Sequence, residues 1–142
     1  MSPANAAPKI GSSDESIQTI LVVEDEVLIR LPLAEYLRDC GYRVFEASNV
    51  AEAKAVLDAD TPVDLVFSDV RMPGQMDGIG LAKWVRENRS DLPVFLASGD
   101  IGKTNIAREL CAEEPFFAKP YDLDAVANRI RHALVGRSGA GT

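Results

Sequence analysis

The feature that most constrains this chain is a rhythm of short, continuous apolar runs separated by segments of helical length. The runs cover Thr19 to Val23, Arg43 to Ala47, Asp64 to Ser68, Val94 to Ala97 and Phe116 to Ala118. Runs of Val, Leu, Ile and Phe without polar alternation are typical of parallel strands that helices cover on both faces. The rhythm therefore predicts an α/β fold, a (βα)5 doubly wound sheet of five parallel strands with right-handed crossovers.

The segments between the runs carry helical signals. We predict helices over Glu26 to Asp39, Asn49 to about Asp58, Ile79 to Asn88, Asn105 to Cys111 and Asp122 to Val135. Asn49 stands three residues before Glu52, a spacing that predicts a capping box at the second helix. Asp77-Gly78 introduces the third helix.

The first helix contains one local conflict. Its apolar residues recur at close to helical spacing: Val27, Leu28, Leu31, Ala34 and Leu37. Gly41 follows as a C-cap. Pro32 falls inside the helix, where it should bend the helix or remove a hydrogen bond.

The chain is long enough for one domain, which we place at residues 18–135. We expect the Pro- and Ser-containing residues 1–17 to form a disordered extension. Residues 136–142 should form a flexible tail, because Gly136, Gly139 and Gly141 are expected to stop any helix. No apolar run is long enough to cross a bilayer, and the N-terminus lacks a secretory pattern. With two cysteines far apart in sequence, we expect reduced thiols and a cytoplasmic protein.

The charge balance argues against a polyanionic partner. The chain has 15 basic and 22 acidic residues, a net charge of −7, whereas affinity for a phosphate backbone depends on clustered Lys and Arg. We interpret the locally basic C-terminal end as solvation of the last helix and a complement to its dipole. We therefore expect neither nucleic acid nor membrane as a partner.

Polar groups follow four of the five apolar runs. Glu24 and Asp25 follow the first, and Asp69, Ser98 and Lys119 follow the third, fourth and fifth. The carboxyl ends of parallel strands all point to one edge of the sheet, where ligands bind. Carboxylates, a hydroxyl and an ammonium gathered at this edge can hold a divalent cation and a phosphate.

The acidic residues favour Mg²⁺ over other ions. Three carboxylates repel one another unless a cation neutralises them, and oxygen ligands suit Mg²⁺. The chain has one His, so a His-based zinc site is excluded. Taken alone, Glu24 and Asp25 could simply complement a helix dipole, and Lys119 could form an ordinary ion pair. Together the groups fit a carboxylate nucleophile that takes up a phosphoryl group. Pro120 holds Lys119 extended and could fix it through a cis bond.

Five motifs in this order resemble a receiver domain of the two-component response regulator family. They are Val22–Glu26, Ser68–Pro73, Met76–Gly78, Ala97–Gly99 and Phe117–Tyr121, within a match from about Thr19 to Val135. With this resemblance we expect the flavodoxin-like strand order 2-1-3-4-5. The resemblance implies that Asp69 accepts a phosphoryl group from a phosphohistidine. It also implies that Glu24, Asp25, Asp69 and the backbone carbonyl of Arg71 hold Mg²⁺, and that Ser98 and Lys119 bind phosphoryl oxygens.

The resemblance further implies a switch and a control on dephosphorylation. Ser98 would move toward the phosphate while Phe116 rotates inward. Phe116 lacks the hydroxyl of the commoner Tyr, so a Phe that simply stays buried is the alternative. Arg71 and Asp100 stand at the two positions that tune dephosphorylation, either as an ion pair over the site or as two independently solvated side chains. The segment 73–78 is one residue longer than the family's usual spacing, which could alter metal access.

From these residues we predict a stand-alone response regulator and not an enzyme in its own right, since it would catalyse only its own phosphoryl transfer and dephosphorylation. Its partners would be a histidine kinase or phosphotransfer protein and an unidentified downstream protein, with the chain a monomer or weak dimer. The alternatives are a phosphate sink and a phosphorylation-independent interaction module. A phosphohydrolase is disfavoured because Arg71 stands where such enzymes carry a second Asp.

Overall fold

Five parallel strands form one sheet in the order β2-β1-β3-β4-β5. The computed structural model describes residues 17–72, 74, 76–99 and 116–141, with side chains as far as Val135. Within this part of the chain the elements are β1 (Thr19–Val23), α1 (Val27–Asp39), β2 (Arg43–Ala47), α2 (Val50–Asp58), β3 (Leu65–Asp69), α3 (Gly78–Asn88), β4 (Val94–Ser98), β5 (Phe116–Ala118) and α4 (Leu123–Gly141). The predicted fold class and strand order are confirmed. The helix predicted over 105–111 lies outside the described residues.

Burial along the strands follows their place in the sheet. Every residue of β1, β3 and β4 is buried, whereas the edge strands β2 and β5 are partly exposed. Central parallel strands are covered by helices on both faces, which explains why their sequences are continuous apolar runs. The two apolar clusters lie on opposite faces of the sheet. Leu21 and Val23 of β1 pack with residues of α2 and α3, and Ile20 and Val22 pack with residues of α1 and α4.

Helix α1 buries a different stripe from the one its apolar residues suggested. Its fully buried residues are Leu33, Ala34 and Leu37, while Val27, Leu28 and Leu31 are 45%, 85% and 42% exposed. The side facing the sheet follows the spacing i, i+3, i+4, i+7 that starts at Arg30. Arg30 takes the first position of this stripe, and Val27, Leu28 and Leu31 are turned toward solvent.

The ends of α1 and its proline are accommodated locally. Gly41 has φ 105°, and the amides of Gly41 and Tyr42 donate to the carbonyls of Arg38 and Leu37. This is a Schellman motif, so the predicted C-cap is confirmed. Pro32 lies inside the helix and is exposed, and the helix continues through it. Pro32 removes one backbone donor, and on the exposed side water can replace that bond.

The start of α2 differs in one detail from the predicted capping box. Asn49 is the N-cap, and its side chain accepts a hydrogen bond from the amide of Glu52. The Glu52 carboxylate, however, accepts from the amide and hydroxyl of Ser48 instead of the Asn49 amide. The reciprocal bond is therefore made to Ser48, one residue before the predicted partner Asn49. There the Ser48 hydroxyl gives the carboxylate a second donor. At α3, Asp77 caps the helix by accepting from the Gly80 amide.

Helix α4 extends beyond its predicted end. We expected Gly136 and its neighbours to stop it after Val135, but the helix runs from Leu123 to Gly141, so that expectation is wrong. A glycine inside a helix costs about 1 kcal/mol relative to Ala but keeps its backbone donor and acceptor, so isolated glycines do not end a helix. Among the described residues, none of the helices combines the length and apolarity that crossing a bilayer demands.

Candidate functional site

The parallel register brings the polar strand ends to one edge of the sheet. Val23, the last residue of β1, pairs with Ser68, so Glu24 and Asp25 follow directly beside Asp69 at the end of β3. On the other side, Asp69 pairs with Ala97, so Ser98 follows one position later on β4. These residues, 24 to 98 in the chain, become neighbours because all five strands run in one direction.

Three carboxylates form an acidic cluster at this edge. Carboxylate oxygens of Glu24, Asp25 and Asp69 all lie within 4.8 Å of one another. Glu24 and Asp69 are 4% and 7% exposed, whereas Asp25 is exposed. The cluster therefore consists of two buried acids and one that faces solvent, an opening through which a cation could reach all three.

Lys119 brings a positive charge to this cluster. Its ammonium lies 2.9 Å from Glu24 Oε1 and 3.2 Å from Asp69 Oδ1. The Lys119 amide donates to the Ser98 carbonyl at 3.0 Å, and the peptide bond between Lys119 and Pro120 is cis. One ammonium thus bridges the two buried carboxylates, and with Asp25 the four groups carry a formal excess of negative charge.

Burial and the shared ammonium act on the pKa values in opposite directions. Burial raises the pKa of Asp69, although Lys119 works against the shift, and the nearby Asp25 charge adds to it. Burial likewise raises the pKa of Glu24, opposed by its hydrogen bonds to Lys119 and to the Glu26 amide. The pKa of Lys119 is raised because its bonds to the two carboxylates outweigh its burial. Lys119 thus only partly offsets the cost of burying the two carboxylates.

The backbone after Asp69 is held by close packing. The Ser68 hydroxyl donates to the Asp69 carbonyl at 2.9 Å, and the Val70 amide donates to the Ala97 carbonyl. The Gly78 amide then donates to the Val70 carbonyl at 2.8 Å. A Cβ atom on Gly78 would overlap the Asp69 carbonyl oxygen, so only glycine lets the loop return this closely over the strand end.

Glu24 is fixed through its backbone as well as its side chain. Its amide donates to the Ala47 carbonyl at 2.9 Å, and its Oε2 accepts from the Glu26 amide at 3.1 Å. Its carbonyl accepts from Arg30 Nη1 at 2.8 Å, while Arg30 Nε donates to Glu46 Oε1 at 2.9 Å. Strand β2, the run without a polar group at its end, thus contributes Glu46 to the support of the site.

The remaining predicted residues lie in different positions. Ser98 is 2% exposed at the end of β4. Phe116 is half-buried and packs against the cluster that includes Leu96. Arg71 is exposed two residues beyond Asp69. Asp100 lies outside the described residues, so the pair it was predicted to form with Arg71 stays a prediction.

Sequence reasoning missed Arg30 and Glu46. A usable signal was present, since Glu46 is a charged residue within the apolar run of β2, and a carboxylate there must find a partner. Arg30 follows Glu26 by four residues on α1. Sequence spacing alone could not show that Arg30 meets Glu46 or a carbonyl of the preceding loop.

The donor set fits a hard divalent cation. Three carboxylates within 4.8 Å of one another offer only oxygen, the ligand type that Mg²⁺ prefers, and Mg²⁺ commonly combines one or two carboxylates with waters and phosphate oxygens. Burial raises the pKa of Glu24 and of Asp69, and Lys119 only partly opposes the shift.

Comparison with known proteins identifies this arrangement. The sequence model of the response regulator receiver domain family matches residues 20–131. The chain is 33% identical over 119 residues to sporulation initiation phosphotransferase F of Bacillus subtilis, covering 82% of this chain and 94% of that protein. It is 31% identical to the aerobic respiration control protein ArcA of Escherichia coli, covering 87% of this chain and 51% of that protein. It is 34% identical to the sensor kinase CckA of Brucella abortus, and the match covers 82% of this chain and 12% of that protein.

Solved structures show the same fold. A response regulator protein TrrA from Thermotoga maritima, in complex with Mg²⁺ and BeF, superposes with a TM-score of 0.72 at 28% identity, covering 82% of this chain and 99% of that one. A CheY-like receiver domain protein from Methanospirillum hungatei superposes with a TM-score of 0.78 at 19% identity, covering 87% and 98% of the two chains. The second likeness bears on the fold alone.

Proposed function

Since the chain belongs to the response regulator receiver domain family, whose members are phosphoacceptor domains of two-component systems, we propose that Asp69 is its phosphoacceptor. The donor would be a phosphohistidine on a sensor histidine kinase or a phosphotransfer protein. In the transfer, an Asp69 carboxylate oxygen forms a bond to phosphorus while the bond from phosphorus to the imidazole nitrogen breaks. The electron pair of that bond returns to the imidazole, and the product on this chain is an aspartyl phosphate.

One observation carries this proposal. Asp69 ends a buried strand, is 7% exposed, and lies 3.2 Å from an ammonium and within 4.8 Å of two further carboxylates. A buried acid in an apolar strand end needs a partner. The partners here, one cation and two metal-type ligands, suit an oxyanion that gains a phosphoryl group.

We propose that Glu24, Asp25, Asp69 and the backbone carbonyl of Arg71 hold Mg²⁺. The ion would neutralise the carboxylates and the oxygens of the incoming phosphoryl group. Lys119 already lies between Glu24 and Asp69, and it would bind a phosphoryl oxygen together with Ser98 at the end of β4. The related protein TrrA is in complex with Mg²⁺ and BeF, which supports a magnesium site in this assignment.

Intact-mass measurement tests the central step. The protein is incubated with acetyl phosphate and Mg²⁺, in parallel with the Asp69→Asn variant and with an EDTA control. We expect the wild type to gain one phosphoryl group and the variant and the EDTA sample to gain none. If the wild type stays unmodified, the chain instead acts as a phosphorylation-independent interaction module. If Asp69→Asn is modified as fully as the wild type, another residue is the acceptor.

We further propose that the phosphorylated protein signals through contacts with a downstream protein, as a stand-alone cytoplasmic receiver that is not an enzyme beyond its own phosphoryl transfer and dephosphorylation. The Bacillus phosphotransferase supports this role, because the matched residues make up 94% of that protein. In the switch, Ser98 would move toward the phosphate and Phe116 would turn further inward. We expect no nucleic-acid or membrane partner and a monomer or weak dimer.

A phosphate sink that drains a kinase is the second candidate, because the relative matched over 94% of its length is named a phosphotransferase. The two roles differ in whether a partner recognises the phosphorylated state. Affinity capture from cells that carry wild type or Asp69→Asn distinguishes them. A partner that is lost in the variant supports the signalling role, and identical partners in both samples support the sink.

Arg71 and Asp100 are proposed to tune dephosphorylation. An ion pair between them would restrict the water that attacks the aspartyl phosphate. An exposed pair contributes only about 0–1 kcal/mol to stability, so its effect would be on the rate. The lifetime of the acyl phosphate in Asp100→Ala is the measurement. A shorter lifetime supports the gate, and an unchanged lifetime shows that the two side chains act independently.

A further inference from the structure

Arg30 contacts the loop between β1 and α1, residues 24–26, from outside the acidic cluster. Its Nη1 donates to the Glu24 carbonyl oxygen at 2.8 Å, and its Nε donates to Glu46 Oε1 at 2.9 Å. The side chains of Arg30 and Glu46 are only 17% and 22% exposed. One planar guanidinium therefore joins the end of β2 to the loop between β1 and α1, and little water competes for either bond.

The carbonyl that Arg30 contacts belongs to the peptide between Glu24 and Asp25. Because a peptide group is planar, holding its oxygen fixes the plane and with it the direction in which the chain enters Asp25. The Glu24 amide is already held by the Ala47 carbonyl at 2.9 Å. Glu24 is thus held on both sides of its Cα atom, by β2 on one side and by Arg30 on the other.

Electrostatics alone would not favour an arginine at this place. A guanidinium bonded to the Glu24 carbonyl brings positive charge toward the acidic cluster, which would weaken the attraction of the cluster for a divalent cation. Glu46 offsets this effect, since it accepts from Arg30 through Oε1 and from Arg38 Nη2 through Oε2 at 3.1 Å. Arg38 also donates to the Val44 carbonyl at 2.8 Å and fixes Glu46 from the side away from the site.

We propose that Arg30 is a positioning residue for Mg²⁺ binding: it holds the loop that carries Glu24 and Asp25 so that both side chains could reach the ion, and Glu46 orients Arg30 for this task. The inference rests on the proposed metal site and adds to it two residues that are not ligands. Groups that orient metal ligands from behind typically change metal affinity by about 10–100-fold when they are removed. Because Arg30 acts on a backbone carbonyl, we expect the lower part of that range.

The test is a Mg²⁺ titration of the full chain, in which amide chemical shifts report binding. It is carried out on wild type, Arg30→Met, Arg30→Lys and Arg38→Met. We expect Arg30→Met to weaken Mg²⁺ binding about 10-fold. Arg30→Lys should weaken it nearly as much, because an ammonium cannot present the fork that reaches Glu46 and the carbonyl together. Arg38→Met is the matched control, since Arg38 also pairs with Glu46 but does not contact Glu24. It should remain within about 2-fold of wild type, well below the effect of removing a group that orients a ligand.

A purely electrostatic role predicts the opposite sign. Removal of a positive charge near the site would tighten Mg²⁺ binding in Arg30→Met, and Arg30→Lys would match wild type. Either result overturns the proposal. Unchanged affinity in Arg30→Met overturns it too, as does an equal loss in Arg38→Met. Thermal unfolding in EDTA separates the remaining possibility: a lower midpoint with wild-type Mg²⁺ affinity means that Arg30 only stabilises the fold.

Glu46→Gln keeps the proposal testable if the Arg30 variants fail to fold. The amide oxygen still accepts a hydrogen bond but leaves the guanidinium charge uncompensated. We expect a smaller loss than in Arg30→Met, about 3-fold, as for a partner one step further from the metal. Wild-type affinity in Glu46→Gln would overturn the orienting role. If the wild type itself binds no Mg²⁺, the metal site fails, whereas a variant that binds like wild type defeats only the role of Arg30 and Glu46.

Discussion

Strand β3 has an aspartate at each end, and the two carboxylates have different partners. Asp64 precedes the strand, and its Oδ2 accepts from the Thr19 amide at 2.8 Å while its own amide donates to the Thr19 carbonyl. Asp69 ends the strand beside two further carboxylates and one lysine. At the amino end a carboxylate completes the backbone hydrogen bonding of β1. At the carboxyl end three carboxylates lie together, and the Lys119 ammonium bonds to two of them.

This difference separates stability from function within one strand. A carboxylate that accepts from a backbone amide stabilises the folded state. A group of buried acids with raised pKa values lowers stability at neutral pH, and such arrangements persist where they are needed for chemistry. The amino edge therefore stabilises the fold, whereas the carboxyl edge gathers the acids of the candidate site.

The largest effect is expected from Gly78→Ala, which would disrupt the backbone over the carboxyl end. The new Cβ would overlap the Asp69 carbonyl oxygen, and backbone cannot move aside as a flexible side chain can. We expect a loss of about 3 kcal/mol in the free energy of unfolding. Denaturant unfolding measures it.

Gly80→Ala is the matched control for that substitution. Its Cβ would lie 2.5 Å from Cγ of Met76, a flexible side chain that can adjust. Alanine is also favoured over glycine in a helix by about 1 kcal/mol. The control should therefore change stability little. Equal losses in both variants would show that α3 tolerates no added methyl group at either position, and that Asp69 is not the cause.

Lys119→Met should destabilise the carboxyl edge by about 1–2 kcal/mol at pH 7. Breaking a fully buried pair costs about 3–5 kcal/mol, but this lysine retains some solvent contact. The loss should shrink as pH falls through the raised pKa values of Glu24 and Asp69, where the carboxylates take up protons and no longer need the ammonium. Added Mg²⁺ should restore part of it. Unfolding at pH 3.5 and pH 7, with and without Mg²⁺, measures these differences, and a loss that does not vary with pH would contradict the pairing.

The smallest effects are expected from the same substitution, Asp to Asn, at the two ends of β3. Measured without metal at pH 7, the two changes in the free energy of unfolding should have opposite signs. Asp69→Asn should stabilise the protein by about 1 kcal/mol, because it removes a buried charge that the fold disfavours. Asp64→Asn should destabilise it by up to about 1 kcal/mol, because a neutral amide oxygen accepts more weakly from the Thr19 amide. Changes of the same sign would break the contrast between the two ends of β3.

The pH dependence of the Asp69→Asn effect follows from the direction of the shift. The pKa of Asp69 is raised above its ordinary value of 3.8, so between these values the folded state binds more protons than the unfolded state. Wild-type stability from this group is therefore highest below pH 3.8 and falls as pH rises through the raised pKa. The Asp69→Asn variant has no carboxyl group at this position and escapes the loss. Its advantage over wild type should be absent at low pH and grow toward neutrality, as thermal unfolding across about pH 3 to 7 would show.

Most of the sheet could be predicted from the sequence because its strands are buried on both faces. Three of the five strands have the predicted boundaries, while β3 is shifted by one residue and β4 is longer by one residue. A continuous apolar run indicates by itself that the strand is buried on both faces. The buried face of helix α1 was predicted less accurately. Its buried stripe begins at Arg30, and apolar spacing alone placed Val27, Leu28 and Leu31 with the buried residues although they are exposed.

The candidate site was predictable in its members but not in its contacts. Topology alone brings Glu24, Asp69 and Lys119 to one edge, since the strands that precede them are parallel. The sequence could not show that Lys119 spans Glu24 and Asp69, nor that Arg30 and Glu46 hold the loop from behind. These contacts depend on how side chains from α1, β2, β3 and the segments after β1 and β5 pack together.

The amino-acid sequence by itself determined the parallel sheet, the strand ends where acids and a lysine gather, and the family to which the chain belongs. These follow from local composition and chain order. Only the tertiary structure decided which face α1 presents to the sheet, how one ammonium is shared between two acids, and that an arginine holds the loop that carries Glu24 and Asp25. Side chains remote in sequence make these choices together, because each contact exists only when the elements that carry it are already packed.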